Sequence, residues 1–286
     1  MPLELVEDAL GDPRNATFLA VASDLAYMNS EQGVSAFKEQ LGLDATLTSI
    51  GNTQVWVGSN ADHIVVAFRG TEAPTSIEGL KDWFLSDAMN LLVLPEGRLG
   101  TDFAAAGVKA RFHLGFLNAL ADIWEPVLAA VEAEVKKAER PLWVTGHSLG
   151  GALAMLAAWM FKRRFLNVHQ IYTYGAPMIG NAAASEAFDK AFPDRVYRYV
   201  NCTDPVPKLP SMSLVANDYG HCLKEIALGE AGGALDLAQA FAGKAVEGVL
   251  SASLLTEIWA SIQSRVAAHG LDNYRKLIEA VLRQKG

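Results

Sequence analysis

Pro141-Leu142-Trp143-Val144-Thr145-Gly146-His147-Ser148-Leu149-Gly150-Gly151-Ala152-Leu153-Ala154 decides how the chain is read. An apolar run containing β-branched residues ends in Gly-His-Ser-Leu-Gly, and an Ala/Leu/Met-rich segment follows from Leu149 to Arg164. The pattern predicts a buried strand, a very tight turn and a buried helix, with Ser148 at the turn. Gly146 and Gly150 leave room for strand and helix to approach, while the turn holds the serine in a strained conformation that exposes its hydroxyl. The helix N-terminus behind it favours developing negative charge. The pattern makes Ser148 the candidate nucleophile; a helix-capping serine is the plainer reading, and the strand before and helix after weigh against it.

Around this stretch the totals bound what the chain can be. Its 286 residues are 51% hydrophobic, enough for a large core and against disorder. A net charge of −8 argues against a nucleic-acid partner. No run of 18 uncharged apolar residues occurs, so no transmembrane segment is expected. The start, Met1 to Asp8, is acidic and lacks the apolar centre of a signal peptide, which predicts a cytoplasmic setting. The alternative is secretion with the signal outside this sequence. The two cysteines, Cys202 and Cys222, read as free thiols in a reducing compartment. No metal-ligand spacing is present, and neither a metal nor a cofactor is expected.

Asn15–Met28 and Val34–Leu41 have helical apolar spacing, and Ala45–Ile50 and Thr53–Gly58 read as a hairpin turning at Gly51-Asn52. The apolar strand His63–Phe68 runs into Arg69-Gly70-Thr71. Glu72 to Leu114 is broken by Pro and Gly, yet unusually apolar for a loop. Gly115–Lys137 reads as a helix with a kink or restart at Pro126. Beyond the elbow, strand Val168–Tyr174, helix Asn181–Ala191 and strand Arg195–Val200 follow. Glu225–Ser264 reads as Ala-rich helix, packed on the sheet or capping a site. Strands alternating with helices predict an α/β fold: a mostly parallel central sheet with helices on both faces, in a single domain over residues 1–286. Ligands gather at the carboxyl ends of such strands, and Thr71, Ser148 and Asp204 all fall there.

A serine hydroxyl needs a base, and the base needs an acid to orient it. In the order Ser, Asp, His, the acid stands at a strand end after Ser148. Asp204 does so, in a loop stiffened by Pro205 and Pro207. Only His221 and His269 follow it, and order alone does not choose between them. His147 reads as structural; His113, before the long helix, reads as structural too, with a pocket-lining role as the alternative. An oxyanion hole needs two backbone N–H groups, one from Leu149, after the serine, and one from Thr71.

These residues together resemble the class 3 lipases, the fungal-type triacylglycerol lipase family of α/β hydrolases. The resemblance rests on Ile64–Thr71, Asp82-Trp83 with Asp87, His113–Phe116, Gly146–Ala152, Tyr174–Pro177 with Gly180-Asn181, and Asn201–Pro207, all in the family's order. It covers roughly residues 45–225 and 265–280. It implies the α/β-hydrolase fold and a cofactor-free serine esterase acting on acylglycerols, with contact to a lipid interface. Ser148 is then the nucleophile, Asp204 the acid and Thr71 an oxyanion donor. A carboxylesterase on short soluble esters or a phospholipase A1 is the alternative. Leu91–Arg111 and Leu228–Ser264 are longer than the family's usual connections, and the family's secreted disulfide pattern is lacking.

The family comparison also bears on the base and on a lid. His269, followed by Gly270 and then Tyr274, is similar to the family's catalytic His with an aromatic residue shortly after. A loop there would let the imidazole reach both the elbow and Asp204. His269 is therefore the expected base and His221 a structural or pocket-lining residue. The apolar segment Glu72–Leu85 beside the oxyanion donor is expected to act as a lid.

Overall fold

Asp12 caps the first helix, α1 (Pro13–Leu25), by accepting the Arg14 N–H at 2.8 Å, and Pro13 fills a position where no N–H is needed. Asn29 caps α2 (Ser30–Leu41), which Gly42 ends in the left-handed conformation. The computed structural model describes residues 3–71, 92–95, 97–208, 219–222, 224–229 and 264–285. The expected lid over 72–85 and the stretch 230–263 lie outside the described residues.

After α2 come the hairpin strands β1 (Asp44–Ile50) and β2 (Thr53–Ser59), then β3 (Ile64–Phe68), β4 (Leu92–Val93) and the short helix α3 (Gly100–Ala104). β5 (Phe112–His113) leads into α4 (Leu114–Lys137), β6 (Leu142–His147), α5 (Leu149–Arg163), β7 (Val168–Tyr174), β8 (Gly180–Asn181) and α6 (Ala182–Ala191). β9 (Val196–Asn201), β10 (Tyr219–Gly220), β11 (Glu225–Leu228), α7 (Val266–His269) and α8 (Leu271–Lys285) complete the described elements.

Seven strands form the main sheet in the order β1-β2-β3-β6-β7-β9-β11. The β1–β2 and β2–β3 pairs are antiparallel; β3–β6, β6–β7, β7–β9 and β9–β11 are parallel. Strand periodicity sends alternate side chains to opposite faces. Val66, Phe68, Val144 and Ile171 join a core with α4 and α5, while Val65, Ala67, Trp143, Tyr172 and Tyr174 join a second core with α1, α2 and α8. Both faces are thus covered, and the central strands read as continuous apolar runs for that reason. Each large side chain buried here stabilises the fold by about 1.5–3 kcal/mol.

Among the described helices, α4 alone is long and apolar enough to cross a membrane by length and composition. Phe116, Leu120, Trp124, Val127 and Val131 of its apolar stripe are buried in the first core. The helix runs on through Pro126 rather than restarting there.

Three features depart from the sequence expectations. Glu225–Leu228 opens the stretch read as helix, but it is the parallel edge strand β11. Its Glu and Ala favour helix, yet β9 supplies hydrogen bonds, Arg198 pairs with Glu225 at 3.1 Å and Leu228 enters the core. The region after the expected lid is not simply loop: β4 and β5 join β8 and β10 in a small antiparallel sheet, order β10-β8-β5-β4. Two-residue strands carry too little periodicity to be seen in sequence. Finally, His269 ends the helical turn α7 instead of standing in open loop.

Candidate active site

Ser148 joins β6 to α5 with φ 56° and ψ −132°, a backbone region that L-residues rarely occupy. The crossing needs glycine on both sides. A Cβ on Gly146 would collide with the Gly150 carbonyl, and one on Gly150 would collide with the Phe68 carbonyl at the end of β3. The serine N–H donates to the Tyr174 carbonyl at 2.9 Å, which holds the turn against β7. The Ser148 side chain is buried, and its Oγ has no hydrogen-bond partner among the described residues.

Asp204 follows β9 in a turn closed by its own N–H on the Asn201 carbonyl at 2.9 Å. It is fully buried. Its Oδ1 accepts the Val206 N–H at 2.9 Å, and its Oδ2 meets His269 Nδ1 at 2.8 Å and the Tyr274 hydroxyl at 2.6 Å. Both carboxylate oxygens are therefore satisfied by donors, which is what a buried carboxylate requires. With Nδ1–H turned to Asp204, the His269 imidazole presents Nε2 as its acceptor. That Nε2 is buried and, like Ser148 Oγ, has no partner among the described residues. Gly175, at φ 61°, lies against this cluster: a Cβ there would sit 2.9 Å from both Asp204 Oδ2 and the Tyr274 hydroxyl.

The strand-end turn Arg69-Gly70-Thr71 lies beside the elbow, since a Cβ on Gly70 would stand 3.2 Å from Ser148 Cβ. Arg69 anchors the turn by donating to Gln54 Oε1 at 3.2 Å and to the Asn52 carbonyl at 2.7 Å. Thr71 Oγ1 is buried without a partner among the described residues, and Leu149 is the first residue of α5. The structure thus brings Ser148, Asp204, His269 and the Thr71 turn to one end of the parallel strands.

His221 stands apart from that group. Its Nδ1 meets Arg198 Nη1 at 2.7 Å, and its Nε2 bonds the Pro207 carbonyl. Burial, then the Arg198 charge, push its pKa down to about 3, so it stays neutral and braces the loop that carries Asp204. His113 is fully buried, accepts the Phe116 N–H at 3.4 Å as the cap of α4 and stacks on the Phe116 ring at 4.1 Å. Burial pushes its pKa down to about 3. Cys202 and Cys222 are free. Among the described residues no cluster of three His, Cys, Asp or Glu side chains suits a metal.

Two supporting residues escaped the sequence reading. Asn201 donates from its amide to the Ala268 carbonyl at 2.9 Å, tying β9 to the turn that carries His269. Its place at the head of Asn201-Cys202-Thr203-Asp204 was the available signal. Tyr27, discussed below, carries no sequence signal, because it reaches the site only through the packing of α1.

The architecture is the α/β-hydrolase fold, with its serine elbow between strand and helix. The class 3 lipase model matches residues 65–214, and the chain belongs to that family. A secreted mono- and diacylglycerol lipase 3 of Gibberella zeae is 30% identical over 63% of this chain and 57% of its own length. The chloroplastic phospholipase A(1) DAD1 of Arabidopsis thaliana is 29% identical over 53% of this chain and 34% of its own. The matches thus span less than two thirds of these relatives. A solved triacylglycerol lipase, described as having a serine-protease triad as its catalytic centre, superposes with a TM-score of 0.58 at 22% identity, over 75% of this chain and 79% of that one.

Proposed function

We propose that the chain is a serine lipase that hydrolyses carboxylic esters of acylglycerols through an acyl-enzyme. His269 Nε2 takes the proton from Ser148 Oγ as the oxygen attacks the ester carbonyl. The N–H groups of Thr71 and Leu149 hold the oxyanion. The imidazolium returns the proton to the leaving alcohol, and water activated by the same nitrogen then releases the acid. Asp204 keeps the Nδ1 proton in place and stabilises the imidazolium. No metal or cofactor takes part.

One observation carries this reading: the buried Asp204–His269 pair at 2.8 Å beside a serine with φ 56°, with both reacting atoms, Oγ and Nε2, unpartnered among the described residues. Family membership and the Gibberella relative's name support the substrate class. A fluorophosphonate probe should label Ser148, and purified protein should release p-nitrophenol from acyl esters. Protein inert to both would sink the proposal.

A phospholipase A1 is the second reading, favoured by the Arabidopsis relative. Rates on a diacylglycerol and on a phosphatidylcholine with the same acyl chains separate the two. For location, the word secreted in the Gibberella relative's name supports an extracellular setting, and the cytoplasmic expectation finds no support there. A single domain is proposed for the whole chain: α8, at its end, packs with α1 on one face of the sheet.

A further inference from the structure

His147 precedes the nucleophile, and both of its ring nitrogens are engaged. It is buried, its Nδ1 lies 2.9 Å from the Tyr27 hydroxyl and its Nε2 lies 2.7 Å from the His269 carbonyl oxygen. The His269 carbonyl can only accept, so Nε2 carries the His147 proton and Nδ1 is an acceptor. The Tyr27 hydroxyl must then donate to Nδ1, and its oxygen is left to accept. It packs directly against Gly70, in the turn that precedes Thr71. The approach there is close, because a Cβ on Gly70 would run into the Tyr27 hydroxyl and stand 2.8 Å from the His147 carbonyl. Each proton in this chain has one possible direction, from Tyr27 to His147 and from His147 to the His269 carbonyl.

We propose that Tyr27 and His147 are positioning residues, a directed hydrogen-bond relay that sets the base His269 and the oxyanion turn at Gly70-Thr71 in mutual register. This inference rests on the assignment of His269 and Thr71 made above. The His147 ring lies 4.6 Å from the His269 ring at 33°, so the relay fixes the plane of the base as well as its backbone. Burial and the neighbouring His269 hold the His147 pKa well below the ordinary value, which keeps it neutral and the relay direction unique. Tyr27 is itself held from both sides: Gln54 donates to the Ala26 and Met28 carbonyls at 2.8 Å each, and Gln54 Oε1 receives Arg69. The end of α1, the oxyanion turn and the base thus form one hydrogen-bonded frame. Removing the Tyr27 hydroxyl frees His147 to move its proton to Nδ1, so that the His269 carbonyl loses its partner and Gly70 loses the group packed against it.

The test compares the parent chain with Tyr27→Phe, His147→Gln and His147→Phe. In the parent, imidazole ¹⁵N shifts should show His147 protonated at Nε2 and not at Nδ1; the opposite tautomer overturns the relay without any variant. Tyr27→Phe should lower kcat on p-nitrophenyl butyrate by about 10- to 100-fold, as loss of register does. KM should move by less than about twofold, because ground-state binding is untouched. The fluorophosphonate labelling rate should fall with kcat. His147→Gln keeps a donor toward the His269 carbonyl and should exceed His147→Phe in kcat by at least about tenfold. A parental kcat in Tyr27→Phe, a loss carried by KM, or equal rates for the two His147 variants overturns the proposal. A parent chain that the probe does not label overturns the serine-hydrolase reading instead, and this inference with it.

Discussion

The Tyr274 hydroxyl and His269 Nδ1 share one oxygen, Asp204 Oδ2, at 2.6 and 2.8 Å. Tyr274 in turn accepts the Asn201 N–H at 3.2 Å, so the acid is tied to the end of β9 through a side chain of α8. Beside the Asp204 carboxylate, burial first and then that charge keep the tyrosine protonated and raise its pKa well above the ordinary value. Tyr274→Phe should leave Oδ2 with one donor and the Asn201 N–H with none. We expect a stability loss of about 1–3 kcal/mol, the usual consequence of orphaning a buried polar group, measured by urea unfolding. A variant as stable as the parent would show that the shared oxygen contributes nothing.

His269→Ala should lose activity to the same extent as Ser148→Ala, on the order of 10⁴- to 10⁶-fold in kcat, because the members act as a unit. Asp204→Asn should lose about 10⁴-fold by allowing the wrong imidazole tautomer. His221→Ala should keep most activity on p-nitrophenyl esters, since both ring nitrogens are engaged by Arg198 and Pro207. A dead His221→Ala beside an active His269→Ala would transfer the base to His221.

Ser148 occupies a backbone region that glycine tolerates at no steric cost. Ser148→Gly should therefore be inactive yet more stable than Ser148→Ala, by about 1–3 kcal/mol. Thermal unfolding of the two variants decides this; equal melting temperatures would mean that the elbow stores no strain.

His113 has a folded pKa of about 3, lowered by burial from the ordinary 6.5. The unfolded chain therefore binds a proton at this residue at pH values where the folded chain does not. Its contribution is intact above about pH 6.5 and is lost progressively as pH falls toward about 3. His113→Asn retains a capping side chain and removes the titration. Its stability, measured by denaturant unfolding at several pH values, should fall less steeply below pH 6.5 than that of the parent.

The elbow was legible in sequence because its chemistry is local. Gly146, Ser148 and Gly150 lie within one turn of chain, and the clash that excludes a side chain at Gly146 is with Gly150 itself, although Gly150 also faces the remote Phe68 carbonyl. Asp204 was legible for a related reason, as a carboxylate just past a strand that belongs to the parallel sheet. The strands β3, β6 and β7 announced themselves as continuous apolar runs, which burial on both faces demands. Composition likewise decided that a large core was possible.

Tertiary structure decided what depends on distant partners. β11 is a strand because β9 offers it hydrogen bonds, against the helical preference of its own residues. His269, rather than His221, meets Asp204 because Asn201 and Tyr274 draw α7 and α8 over the end of β9, while Arg198 takes His221. Tyr27 reaches His147 across 120 residues of sequence because α1 packs on the face of the sheet that carries Tyr172 and Tyr174. Local propensity and spacing are properties of a few consecutive residues, so sequence determined the candidate nucleophile and the sheet; hydrogen bonds between remote segments exist only after the core has formed, so the surroundings of the proposed base were decided by the fold.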